Sequence, residues 1–106
     1  MPKYLVQASY TAEGSKGLLK DGGSKRRAAV EAMAKSFGGR LEAFYYAFGE
    51  VDAYVIIEAP DNVTAAAVSL AVNASGVVTL KTTPLLTPEE VDAATKKTVS
   101  YQAPGH

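Results

Sequence analysis

The sequence predicts an α+β domain whose elements follow the order β-α-β-β-α-β, which is the order of ferredoxin-like folds. Three observations predict it: four stretches of alternating apolar residues, two helical stretches that separate them, and a glycine-containing turn between the second and third strands. We expect a four-stranded antiparallel sheet with two helices on one face, followed by a short C-terminal helix and a tail.

Length and composition narrow the class of protein. The 106 residues suffice for one domain, which we place at residues 1–97, with residues 98–106 as a C-terminal tail. The 11 basic and 11 acidic residues balance, so no basic excess indicates a nucleic-acid partner. No stretch approaches the ~20 apolar residues of a membrane span, and no signal peptide is recognisable. We therefore expect a cytoplasmic protein without a membrane partner.

The residue types exclude several kinds of chemistry. The chain has no cysteine, which excludes disulfides and thiolate sites, and its single histidine is the terminal His106. A histidine-based metal site or catalytic triad therefore cannot be built within one subunit. We expect neither a metal nor another cofactor.

The first strand covers residues 3–10, and one of its sides is apolar: Tyr4, Val6, Ala8 and Tyr10. Residues 11–24 are rich in glycine and predict a loop with a short helical turn around Leu18 and Leu19. A helix follows over residues 25–37, with Ser24 as its N-cap and an apolar stripe at three- and four-residue spacing: Ala29, Val30, Met33 and Phe37.

The segments RLEAFYYAF and VDAYVIIEA predict a hairpin. Gly49-Glu50 suits a two-residue type II′ turn, which pairs Phe48 with Val51, Tyr46 with Ala53, and Phe44 with Val55 on one apolar face. The opposite face of the hairpin then carries Leu41, Ala43, Tyr45, Ala47, Asp52, Tyr54, Ile56 and Glu58. A loop longer by two residues would keep the same faces.

The second half of the chain repeats the helix–strand pattern. Residues 63–74 predict an alanine-rich helix, and residues 77–83 predict the fourth strand. Thr87, Pro88 and Glu90 have the spacing of a capping box, which predicts a short helix that ends near Lys97.

Two helices cover only one face of a four-stranded sheet, so the other face is open. The candidate ligand or interface residues on this open face are Gln7, Ser9, Tyr45, Asp52, Tyr54, Ile56, Glu58 and Lys81. Together with Leu5, they form a larger apolar patch than a monomer usually exposes. We expect this face to pack on another subunit; the alternative adds a small-molecule cavity on the same face.

Asp52 and Glu58 are the acids of this face, and each needs a donor if a partner covers it. Lys81, Gln7, Ser9 and the tyrosine hydroxyls are the available donors. Asp52 is a candidate general base, with Tyr54 as a second catalytic candidate. A structural ion pair or a turn-stabilising hydrogen bond is the interpretation that we favour for Asp52.

Three cations, Lys25, Arg26 and Arg27, lie in the first turn of the predicted helix, where they oppose the helix dipole. They could bind an anion, with Gly22-Gly23 allowing close approach. We favour a solvated role or intersubunit salt bridges.

The hairpin FYYAFGEVDAYVIIEAPD, together with the helix GGSKRRAAVEAMAKSFGG and the stretch LKTTPLLTPEE, resembles the GYD-domain family of small bacterial proteins. Gly49 and Asp52 match the family's Gly…Tyr-Asp motif, whereas Val51 stands in place of the motif tyrosine. The resemblance implies a ferredoxin-like fold similar to dimeric α+β barrel proteins. Barrels of that kind include cofactor-free oxygenases, stress-responsive proteins and ligand-sensing regulator domains, which is an analogy of fold alone.

Three functions remain open. The favoured one is a homo-oligomeric binding or structural module, at least a dimer, that takes at most a small molecule. The second is a cofactor-independent oxygenase or isomerase in which Asp52 and a tyrosine transfer protons. The third is an effector-sensing domain that acts through a separate partner.

Overall fold

A computed structural model describes residues 1–106. It contains four strands and four helices: β1 (Lys3–Tyr10), α1 (Ala12–Asp21), α2 (Gly23–Ser36), β2 (Arg40–Tyr46), β3 (Ala53–Glu58), α3 (Asn62–Ala74), β4 (Val78–Leu85) and α4 (Pro88–Thr95). The strands form one antiparallel sheet in the order β2-β3-β1-β4, which is consistent with a ferredoxin-like arrangement. The predicted fold class is confirmed.

The hairpin has the predicted register but a longer connection. Tyr46 pairs with Ala53, and both strands end there, so residues 47–52 form the connection. Gly49 does not adopt a positive φ, so the predicted type II′ turn is wrong. Phe48 is fully exposed at the tip instead of sharing the apolar face. Both strands keep their predicted faces, because the observed connection is longer than the predicted turn by an even number of residues.

A β-bulge in β2 changes the predicted position of Leu41. The register shifts between Leu41 and Ala43, so Glu42 is the extra residue. Leu41 therefore opposes Ile57 and packs against the core, where the strict alternation had placed it on the open face. The two edges of the sheet are β2, which carries the bulge, and β4, which contains Pro84.

The segment that the sequence predicted as a loop forms the ten-residue helix α1. Thr11 caps it by accepting a hydrogen bond from the Gly14 N–H, and the Thr11 N–H donates to the Val77 carbonyl oxygen at 3.0 Å. A Cβ atom at Gly14 would overlap that same carbonyl oxygen, so glycine is required for this close approach. Gly22, with φ of 82°, separates α1 from α2, and α2 begins without the predicted Ser24 cap.

The core lies between the sheet and the helices. Helix α2 packs over β2 and helix α3 packs over β4, so the two helices straddle the central strands. Only ten of the 106 residues are buried, and they are Tyr4, Val6, Ala8, Ala34, Ala53, Val55, Ile57, Ala59, Ala65 and Val78. This small set shows that the helices do not close fully over the sheet.

The C-terminal part stands apart from this body. Helix α4 has the predicted capping box between Thr87 and Glu90, and every residue of the helix is exposed. The radius of gyration is 16.9 Å, whereas a compact chain of this length has about 13 Å. We call residues 86–106 the C-terminal arm. No helix of the chain has the length and apolarity to cross a membrane.

Candidate functional site

The strand register sorts the open face into rows that run across the sheet. Tyr45 on β2 pairs with Tyr54 on β3, Tyr54 pairs with Gln7 on β1, and Gln7 pairs with Lys81 on β4. Four of the predicted site residues therefore form a single row that spans all four strands. We call it the tyrosine row.

The neighbouring rows differ in character. The adjacent row is mainly apolar and contains Ala43, Ile56, Leu5 and Thr83. The row beyond it is mostly charged and contains Arg40, Glu58, Lys3 and Leu85. The polarity of this face therefore changes from row to row along the strands, which the alternation of residues alone does not reveal.

The two tyrosines of the row are solvent-exposed. Tyr45 is 72% exposed and Tyr54 is 43% exposed, and the two pair with each other one position before the last pair of the hairpin. Lys81 is exposed as well, while Gln7 and Ile56 are half-buried. The Gln7 amide and the Lys81 ammonium make no hydrogen bond or ion pair within the subunit, so both remain available to a partner or ligand.

Asp52 has a structural contact at the end of the sheet. Its Oδ2 atom accepts a hydrogen bond from the Tyr10 backbone N–H at 2.8 Å, and its own N–H donates to the Ala8 carbonyl oxygen at 2.8 Å. Nearby, the Ser9 hydroxyl donates to the Glu50 carbonyl oxygen at 2.9 Å. Asp52 thus closes the ladder between β1 and β3, and it uses none of the donors that the sequence suggested. Its role in proton transfer stays a prediction.

Glu58 is held in an ion pair that the sequence analysis missed. The Arg40 Nε–H donates to the Glu58 Oε2 atom at 2.6 Å. This hydrogen bond and the positive charge of Arg40 lower the pKa of the Glu58 carboxyl group, with a smaller contribution from Lys3. The predicted register could not show this pair, because it placed Leu41 opposite Glu58 and only the bulge at Glu42 brings Arg40 there.

A cavity on the other side of the sheet was also missed. It lies between α2, α3 and the strands, and it has a volume of about 60 Å³. Fourteen of its seventeen lining residues are hydrophobic, and they include Val30 and Met33 of α2 and Val68 and Val72 of α3. We call it the interhelical cavity. It exists because the two helices straddle the central strands without meeting over them.

Tyrosines and arginines gather where the first turn of α2 meets the sheet. Tyr10 and Arg26 both line the interhelical cavity, and the Tyr46 hydroxyl donates to the Gly23 carbonyl oxygen at 3.1 Å. Burial raises the pKa of Tyr46, the nearby Tyr10 hydroxyl raises it further, and the charges of Arg26 and Arg27 oppose the rise. Arg26 and Arg27, two of the three cations that the sequence analysis noted, thus lie close to the Tyr46 hydroxyl, and Arg26 lines the cavity together with Tyr10.

The open sheet and its two straddling helices define a ferredoxin-like α+β domain with one uncovered face. The GYD domain model matches residues 4–95, so the chain belongs to the GYD domain family. Gly49 and Asp52, on which the resemblance rested, lie inside the matched range, as does Val51, which is half-buried beside Asp52. No curated protein and no solved structure matches the chain significantly.

Proposed function

We propose that the protein is a self-associating binding module whose open sheet face packs against the same face of a second copy. The observation that carries the proposal is the tyrosine row, in which Tyr45 and Tyr54 lie side by side and exposed on two paired strands of the sheet. Tyrosine is enriched at the centres of protein interfaces because it offers a large contact area and a polar end.

The neighbouring rows support an association of this kind. Ile56 and Leu5 extend the apolar surface, and burying each large apolar side chain is worth about 1.5–3 kcal/mol. A two-fold interface would count each of these contributions twice, since the same patch faces itself. The charged row at one end of the face, with Arg40 and Glu58, supplies a polar rim.

The C-terminal arm supports the same proposal. Its large side chains Leu86, Val99 and Tyr101 are between two-thirds and three-quarters exposed, and Val91 of α4 is nearly half exposed. An apolar segment that stands away from its own body is suited to reach over a neighbouring subunit. The arm would then add contacts to those of the open face.

A small-molecule site at the same interface is the finer part of the proposal. Gln7 and Lys81 have no partners within the subunit, and both belong to the tyrosine row. If two tyrosine rows face each other, these groups border a shared space and can bind a polar ligand. The interface between the two copies and the ligand site are then the same surface.

Sedimentation velocity at micromolar concentration tests the proposal. We expect the wild type to sediment as a dimer or larger, and Tyr54→Asp to sediment as a monomer, because the substitution places a charge in the middle of the interface. Leu19→Asp is the matched control, since Leu19 is an exposed apolar residue on α1, away from the open face. It should leave the assembly intact.

Two results would contradict the proposal. The first is a wild type that sediments as a monomer at this concentration. The second is an unchanged assembly in Tyr54→Asp, provided that its far-ultraviolet circular dichroism shows a folded protein. Removing residues 98–106 measures the contribution of the arm separately.

A further inference from the structure

We propose that the interhelical cavity binds a small apolar carboxylate whose charged group pairs with Arg26. The inference concerns the helix-covered side of the sheet and is independent of the self-association proposed for the open face. It rests on the lining of the cavity and on Arg26, the one charged residue of that lining.

The cavity offers a ligand one charge and otherwise an apolar wall. The three lining residues that are not hydrophobic are Arg26, Ser69 and Thr82. The Ser69 and Thr82 hydroxyls bond to each other at 2.8 Å, and Ser69 also donates to the Ala65 carbonyl oxygen. Their hydrogen-bonding capacity is therefore largely used within the protein. Arg26 is the only charged residue of the lining.

Arg26 is a free cation in a positive neighbourhood. It makes no ion pair within the subunit, whereas the adjacent Lys25 pairs with Asp21 at 3.8 Å. Asp21 and Glu13 line a groove on the α1 side of Arg26, but neither lines the interhelical cavity. A carboxylate in the cavity would therefore meet the guanidinium of Arg26 and no opposing acid.

Hydrogen bonds anchor each of the two helices that border the cavity to the sheet. Helix α2 is held by the bond from the Tyr46 hydroxyl to the Gly23 carbonyl oxygen. Helix α3 is held at its start by the Tyr4 hydroxyl, which donates to the Asn62 Oδ1 atom at 2.6 Å. Near its end, the Leu80 N–H donates to the Asn73 Oδ1 atom at 2.6 Å.

The volume indicates the size of the ligand. About 60 Å³ of the cavity is open to the centres of water molecules, which corresponds to roughly four to six waters, or on the order of 120–180 Å³ of liquid volume. A benzoate or a six-carbon fatty acid has about this size. The ligand class is therefore a small aromatic or short-chain aliphatic carboxylate, with its apolar part between Val30 and Val68.

Titration calorimetry with sodium benzoate and sodium hexanoate tests the proposal, with benzyl alcohol and 1-hexanol as neutral counterparts. We expect the wild type to bind a carboxylate more tightly than its alcohol. Arg26→Gln should weaken carboxylate binding about tenfold or more and leave alcohol binding unchanged, because it removes one charge-assisted hydrogen bond. Arg27→Gln is the matched control and should bind like the wild type.

A second variant tests the location of the site. Val68→Phe fills the cavity and should abolish binding of both ligand classes, while Tyr54→Asp should bind carboxylates like the wild type because it lies on the other face. The proposal is overturned if the wild type binds neither carboxylate at millimolar concentration. It is also overturned if a folded Arg26→Gln protein binds carboxylates unchanged, or if Val68→Phe does.

Discussion

The two glycines inside α1 provide a matched pair of substitutions with opposite expected effects on stability. Gly14→Ala would place a methyl group onto the Val77 carbonyl oxygen and 3.2 Å from the Tyr10 ring. Gly17→Ala would place the same methyl group in open space, with no atom within 4 Å. Both residues belong to the same helix, so the intrinsic helix preference changes in the same way at both sites.

The expected magnitudes follow from this geometry. Replacing glycine by alanine inside a helix stabilises it by about 0.5–1 kcal/mol, which is the gain that we expect for Gly17→Ala. At Gly14 this gain is opposed by an overpacking cost of about 1–3 kcal/mol, because the helix must move away from β4. That movement also stretches the hydrogen bond between Thr11 and Val77. The two variants should therefore differ by about 1–3 kcal/mol in their free energy of unfolding.

Urea denaturation followed by circular dichroism measures this difference. All samples should have the same protein concentration, because the proposed self-association would make the apparent stability depend on concentration. If Gly14→Ala proves as stable as Gly17→Ala, helix α1 does not dock against Val77, and the reasoning is refuted. Residues 11–24 would then behave as the loop that the sequence alone suggested.

Two further predictions concern the acids of the open face. Asp52→Ala should lower the free energy of unfolding by about 1–3 kcal/mol, because the Tyr10 N–H loses its acceptor. Asp52→Asn should cost less, since its amide oxygen can still accept; equal losses in urea denaturation would contradict the structural role. Arg40 lowers the pKa of Glu58, so the ionised Glu58 contributes stability that is complete above about pH 4.3 and is lost as the pH falls further. The melting temperature of Glu58→Gln should therefore be below that of the wild type at pH 7, and this gap should shrink at pH 3. A gap of equal size at both pH values would count against this account.

The sheet and its two faces could be predicted because a strand has a side-chain period of two, and that period is written directly in the sequence. Tyr4, Val6 and Ala8 alternate without interruption, and all three are buried. The bulge at Glu42 could not be predicted, since the residue types of β2 do not mark the position at which the pairing shifts. It moved Leu41 to the core side of the sheet.

Helix α1 was missed because local preference and tertiary contact disagree there. Gly14 and Gly17 each weaken an isolated helix by about 1 kcal/mol relative to alanine, so the segment looks like a loop. The close approach of Gly14 to Val77 favours the helix in the folded chain, yet these two residues are far apart in sequence. Thr11, whose hydroxyl caps the helix, was one local signal in favour of a helix.

One part of the candidate site could be predicted from the sequence and the other could not. The tyrosine row follows from strand register, so its members could be named in advance: Gln7, Tyr45, Tyr54 and Lys81. The interhelical cavity depends on the distance between α2 and α3. The bonds of Tyr46 to Gly23 and of Tyr4 to Asn62, which anchor these helices to the sheet, connect residues 23 and 58 positions apart in sequence.

The two edge strands have a consequence for how copies of this chain can meet. An open edge invites strand addition, which can continue from copy to copy without end and leads to fibres. Here one edge strand is interrupted by the bulge at Glu42, and the other contains Pro84, which has no N–H to donate. Growth along the hydrogen-bonding direction is therefore disfavoured at both ends of the sheet. Pairing through a face is different, because two copies related by a two-fold axis cover each other's open face. No open face then remains for a third copy, so growth stops. The two edges thus disfavour open-ended polymers, and they are compatible with the finite, face-to-face pairing that we propose.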